Sequence, residues 1–183
     1  MDIINNILIL TGSPHKHGTS SLLADEFEHG AVRSGNSVKR FDTAFLNINC
    51  CMGCGACRNN SNFCTKKDDF DDIKNFLLNA DVVVFVTPIY YFSMSAQLKM
   101  TIDRFHSISK ELQKNPKKSL LIMTAASPDK SVANALILHY KTMIKYLGWE
   151  DVGILLAKDS PTREKIEQSN YPFQARKLGE ILA

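Results

Sequence analysis

The sequence predicts an α/β fold, a doubly wound sheet of five parallel strands with helices on both faces. Three observations carry this. Short apolar runs alternate with helical patterns along the chain, and strands joined through helices lie parallel. The run from Asp81 to Thr87 is almost unbroken apolar, as expected of a strand covered on both sides. A second run, Ile7–Leu10, stops at Thr11-Gly12-Ser13-Pro14, and helical spacing begins at Leu22. With 183 residues the chain suits one domain with a full core, taken as 1–183.

The organising stretch is Ile3–Ser21. A buried strand, a loop of small and hydroxylated residues and a helix start make a cradle for phosphate, because first-turn N–H groups point into the loop and the helix dipole favours an anion. Gly12 and Gly18 let the backbone turn and approach a ligand, while Ser13, Thr19 and Ser20 offer hydroxyls. The loop is neither a triphosphate loop nor G-x-G-x-x-G, so a terminal monophosphate is the better guest.

Leu23, Phe27 and Ala31 give the first helix its apolar stripe, ending near Ser34-Gly35-Asn36. A second strand is expected over Ser37–Thr43. The loop at 47–67 holds all five cysteines, four of them (Cys51, Cys54, Cys57 and Cys64) at close, regular spacing, and reads as an irregular, functional excursion. Asp68-Asp69 open a helix with Phe70, Ile73 and Leu77 inward. After strand three, Pro88-Ile89-Tyr90-Tyr91-Phe92-Ser93 leads to a helix with Met94, Leu98, Ile102 and Phe105 buried. Leu120–Thr124 is the fourth strand and Ala125–Asp129 its exit loop. A long helix follows with Val132, Leu136, Tyr140, Met143 and Leu147 inward and Gly148 as its stop. Trp149–Ala157 is the fifth strand. Ser160-Pro161 opens a C-terminal helical region interrupted at Tyr171-Pro172.

Five such strands fit the flavodoxin-like order 2-1-3-4-5, which seats a ligand beyond the carboxyl ends of strands one and three. The Gly12–Ser20 loop and the Pro88–Ser93 loop should therefore face each other. A phosphate cradle opposite an aromatic wall describes FMN; core packing or a dimer contact is the plainer use of those aromatics.

The chain resembles the flavodoxin-like NAD(P)H-dependent FMN reductases, including the iron–sulfur flavoproteins. The resemblance rests on Gly12-Ser13-Pro14 with Gly18-Thr19-Ser20, on Cys51-x-x-Cys54-x-x-Cys57, on Asp68-Asp69 and on Thr87–Phe92. Met94-Ser95-x-x-Leu98-Lys99 with Asp103-Arg104 completes it. It implies that Ser13, Lys16, Gly18, Thr19 and Ser20 hold the FMN phosphate. Pro88, Ile89, Tyr90, Tyr91 and Phe92 would line the isoalloxazine, and the Thr124–Ser127 loop would approach the far edge of the ring. This chain has Thr19-Ser20 where the family often has Asn-Thr, and its third loop has no glycine. The flavin would carry the redox chemistry, so no residue is assigned acid–base work. Tyr90 and Tyr91 read as shape, and His15 and His17 as solvated loop residues.

Cys51, Cys54, Cys57 and Cys64, separated by two, two and six residues, can reach the corners of a [4Fe–4S] cluster. Zinc is a second reading and free or redox-active thiols a third; the spacing leaves all three open. Cys50 is spare.

A net charge of +3 without a long basic run indicates no nucleic-acid partner. No run approaches the ~18 apolar residues of a membrane span, and no signal-peptide pattern opens the chain, so a cytoplasmic protein is expected. The leading expectation is an enzyme that takes hydride from NAD(P)H and reduces a flavin, quinone or other small-molecule electron acceptor. Alternatives are an electron carrier serving a redox protein partner, and a thiol or metal-binding module without flavin. The resemblance also implies a homodimer or higher homo-oligomer with Met94–Arg104 at its interface.

Overall fold

The structure, a computed structural model, describes residues 4–59 and 64–182. Ile3 and residues 60–63 of the cysteine loop lie outside the described residues. In chain order the elements are β1 (Asn6–Thr11), α1 (Thr19–Arg33), β2 (Ser37–Asp42), α2 (Ala56–Asn59), α3 (Phe70–Asn79), β3 (Val82–Pro88), α4 (Ala96–Asp103) and α5 (Ser109–Lys114). They continue with β4 (Lys118–Thr124), α6 (Asn134–Leu147), β5 (Glu150–Ala157), α7 (Arg163–Glu167) and α8 (Tyr171–Ile181). The sheet is five-stranded and parallel, in the expected order β2-β1-β3-β4-β5.

Alternation along each strand builds a core on either face. On one side Leu8, Leu10, Val83, Phe85, Leu121 and Met123 pack against Phe70, Ile73, Leu98, Ile102, Leu136 and Tyr140. On the other, Ile7, Ile9, Val84, Val86, Leu120 and Ile122 meet Leu23, Phe27, Ala31, Ile166 and Ala175. Each fully buried aliphatic or aromatic side chain contributes about 1.5–3 kcal/mol.

Three predicted helices differ in detail. The stripe Met94–Phe105 is buried, but α4 stops at Asp103 and a 3-10 turn, Arg104–Ile108, leads into α5. Ser95 caps α4 by accepting from Leu98 N, and Thr87 Oγ1 accepts from Ser95 N at 3.0 Å. The helix expected from Val132 opens as a 3-10 turn over Lys130–Ala133, with Asp129 accepting from Ser131 N. Gly148 ends α6 at φ 70°, a left-handed cap that favours glycine. The C-terminal region is two helices, and Pro172 sits in the first turn of the second rather than interrupting one helix.

Helix α1 lies against α8 at backbone distance. A Cβ on Gly30 would fall 2.1 Å from Arg176 O, and one on Gly179 would fall 2.2 Å from Phe27 O. Among the described residues no helix is long and apolar enough to cross a membrane.

Candidate functional site

The loop from Gly12 to Gly18 carries the chain from β1 into α1. Gly18 is the N-cap of α1 in extended conformation and offers no side chain to the first-turn N–H groups. Those donors are what an anion would take. A Cβ at Gly18 would press on His15 Cβ at 3.0 Å and His15 O at 3.2 Å. Ser13 Oγ accepts from His15 N at 3.2 Å and fixes the turn. Lys16 rests its ammonium 5.0 Å from the Phe45 ring centre, at the rim. Gly12 serves packing rather than ligand approach, since a Cβ there would meet Ser95 Oγ at 2.3 Å and Leu98 Cβ at 2.7 Å.

Across from the cradle, the end of β3 turns back on itself. Tyr90 N donates to Ser93 O at 2.9 Å and Ser93 N to Tyr90 O at 3.1 Å. Between them Tyr91 and Phe92 have φ of 50° and 67°. Two successive left-handed residues make a type I′ turn, which usually takes Asn-Gly. The turn directs Tyr91 outward, 98% exposed, with Phe92 edge-on to it at 5.9 Å.

A cavity of about 690 Å³ joins these parts. Its wall includes Ser13, Lys16, Gly18, Thr19, Ser20, Pro88, Ile89, Tyr90 and Thr124 from the expected set. Tyr91, Phe92 and Ser127 lie outside that wall; Ser127 Oγ instead accepts from Asp129 N. Thr124, expected near the far edge of a ring, is placed at the cradle end. Its hydroxyl accepts from Thr19 Oγ1 at 3.2 Å and lies 2.8 Å from Ser20 Oγ. The reason is topological, because α1 crosses from β1 toward β4 and brings its first turn over the end of that strand.

His15 and His17 also face the cavity, as do Ala125, Ala126, Ser160, Pro161 and Arg163. Ser160 and Pro161 come from the loop after β5, which Ser160 N fixes by donating to Ala125 O at 2.9 Å, and Arg163 opens α7. Arg163 pairs with Glu167 at 2.7 Å. Nothing in the local sequence separates Arg163 from an ordinary surface arginine at i,i+4 from a glutamate. Another cavity, of about 320 Å³, lies at the amino ends of β1 and β2 beside α3. The carboxyl-end cavity is the ligand site by topology, since this strand order opens its crevice there.

The residues fit FMN. The uncapped helix start with Lys16 suits its phosphate, and the volume falls within the 300–1,000 Å³ typical of cofactor and ligand pockets.

The cysteine loop is held by Arg104, at the end of α4. Arg104 Nη1 donates to Asn49 O at 2.9 Å and to Asp68 Oδ2 at 2.6 Å, and Nη2 donates to Lys66 O at 3.3 Å. Asp68 Oδ2 also accepts from Asn49 N and Nδ2. Both ends of the loop therefore meet on one buried ion pair. Burial pushes the Asp68 carboxyl up, but the bonds from Arg104 and Asn49 outweigh it and hold it below its ordinary value. Cys51, Cys54, Cys57 and Cys64 line one small cavity with Arg104, His106 and Ser107. Among the described residues no three His, Cys, Asp or Glu are arranged to hold a single metal ion.

Comparison with known proteins agrees with this geometry. Over 95 residues the chain is 35% identical to an iron–sulfur flavoprotein of Archaeoglobus fulgidus, covering 52% of this chain and 43% of that protein. It is 27% identical over 167 residues to an iron–sulfur flavoprotein of Clostridioides difficile, covering 88% and 72%. The chain spans about half the length of several curated relatives it matches. Its fold is also that of an NAD(P)H:quinone oxidoreductase from Methanothermobacter marburgensis, with a TM-score of 0.74 at 16% identity over 98% of each chain. The family model for NADPH-dependent FMN reductase matches residues 5–154, and the chain belongs to that family.

Proposed function

We propose that the protein binds FMN in the carboxyl-end cavity and acts as an NAD(P)H-dependent oxidoreductase on a flavin, quinone or other small acceptor. The observation that carries this is one cavity running from an uncapped helix start to the loops after β3 and β4. Lys16 and the α1 dipole neutralise the phosphate. Ser13 and the Gly18 turn hold the loop in the shape that presents its N–H groups. Pro88, Ile89 and Tyr90 on one side and Ala125-Ala126 on the other leave a slot for a flat ring. Bound FMN supplies hydride acceptance and onward electron transfer; the chain supplies position and shielding. The test is titration of the apo-protein with FMN, followed by anaerobic addition of NADPH. Quenched flavin fluorescence and a bleached yellow spectrum are expected, and no uptake of FMN overturns the reading.

A second reading concerns the thiols, as ligands of a [4Fe–4S] cluster. It is supported by Cys51, Cys54, Cys57 and Cys64 on one cavity wall, at spacings of two, two and six residues. Such a cluster would let the protein pass single electrons to a redox partner. Iron, sulfide and zinc quantified on anaerobically purified protein separate the two metals. The aromatic turn and α4 suit a homodimer contact, which sedimentation at several concentrations tests.

A further inference from the structure

Arg104 has more donors than its tethering role uses. Its side chain is 1% exposed, and three hydrogen bonds from Nη1 and Nη2 hold Asn49, Asp68 and Lys66. Its Nε–H is buried and has no partner among the described residues. A buried donor left unmade costs about 1–3 kcal/mol, so an acceptor is expected where it sits. Arg104 forms part of the wall shared by the four cysteines, with Cys64 among the groups acting on its guanidinium. Asp68 and the two carbonyls take the Nη edges and keep the guanidinium oriented.

We infer that Arg104 donates its Nε–H to a sulfur at the Cys64 corner of the cluster and thereby raises the cluster's reduction potential. The inference rests on the cluster reading above. Reduction adds one electron and no proton to a negatively charged group in a confined site. A donor hydrogen bond to sulfur favours the reduced form and is a known control of such potentials. Arg104 is a positioning residue here, acting on the cluster and not on a substrate.

The full chain is reconstituted anaerobically with iron and sulfide, reduced with dithionite, and examined by pulsed electron paramagnetic resonance with ¹⁵N-arginine incorporated. A ¹⁵N coupling to the reduced cluster is expected in the unmodified protein. It should persist in Arg58→Lys, a change of the arginine within the loop itself, and vanish in Arg104→Lys. In Arg104→Met the cluster should be at least tenfold harder to reduce, a potential about 59 mV lower for a one-electron couple. A cluster that assembles without arginine coupling, or with coupling lost only in Arg58→Lys, overturns the role of Arg104 and leaves the cluster reading intact. Failure of the unmodified protein to assemble any cluster overturns both. Because the coupling is read on unmodified protein, the test stands even where a variant does not fold.

Discussion

Arg104 Nη1 lies 2.6 Å from Asp68 Oδ2, and both side chains are withdrawn from solvent. The guanidinium also stacks 5.0 Å from the Phe70 ring centre, so the pair is packed as well as bonded. A buried pair is costly to form and much more costly to break on one side, about 3–5 kcal/mol. Asp68→Asn should therefore lower unfolding stability by an amount in that range at neutral pH, read from urea midpoints. The pH dependence follows from the depressed pKa of Asp68. Its contribution is full above the pKa of the unfolded chain, about 4, and disappears as pH falls through the lower folded value. The gap between wild type and Asp68→Asn should close in acid. A gap independent of pH would contradict the assignment.

The turn at Tyr91-Phe92 makes a second prediction. Non-glycine residues held in left-handed backbone cost of order 1 kcal/mol or more each. Replacing them together, Tyr91→Asn with Phe92→Gly, gives the turn the residues it ordinarily uses. The unfolding free energy should rise by about 1–2 kcal/mol, read as a higher urea midpoint at unchanged slope. Affinity for FMN should change little, because neither side chain lines the cavity. A large loss of FMN affinity would instead place these rings over the bound flavin.

Gly30 should tolerate nothing larger. A methyl group there meets the Arg176 carbonyl at 2.1 Å and forces α1 and α8 apart. Overpacking of this kind costs about 1–3 kcal/mol, so Gly30→Ala should lose stability of that order in thermal or urea unfolding. FMN affinity should be retained, since the cradle lies at the other end of α1.

Thr124→Val keeps shape and removes the oxygen shared by Thr19 and Ser20. Ser20 is buried, and its hydroxyl would be left without that partner. A stability loss of about 1–3 kcal/mol and weaker FMN binding are expected together. Unchanged affinity by fluorescence titration would remove Thr124 from the site.

How much was legible in the sequence follows from range. Val82–Val86 and Ile7–Leu10 declare their burial by composition, and Gly148 marks a helix end by itself, because strand burial and left-handed caps are local properties. The cradle is likewise local, from Gly12 to Ser20. Arg163 and Ser160 reach that cavity only through the loop after β5, more than 140 residues on, so no local pattern names them. Tyr91 reads as a wall residue by type, yet its backbone conformation turns it to solvent. Asp68 reads as a helix-start acid; its partner Arg104 is 36 residues away and becomes visible only when α4 is folded. Gly30 and Gly179 read as weak points in helices until the contact between their backbones is seen.

The most direct measurement compares FMN with riboflavin, identical but for the phosphate, in binding to apo-protein at equal ionic strength. A charge-assisted phosphate contact contributes about 1.5–3 kcal/mol, so FMN should bind at least about tenfold more tightly. Lys16→Met should narrow that gap by weakening FMN alone. Equal affinities for the two compounds, or binding of neither, would contradict a phosphate seat at the start of α1.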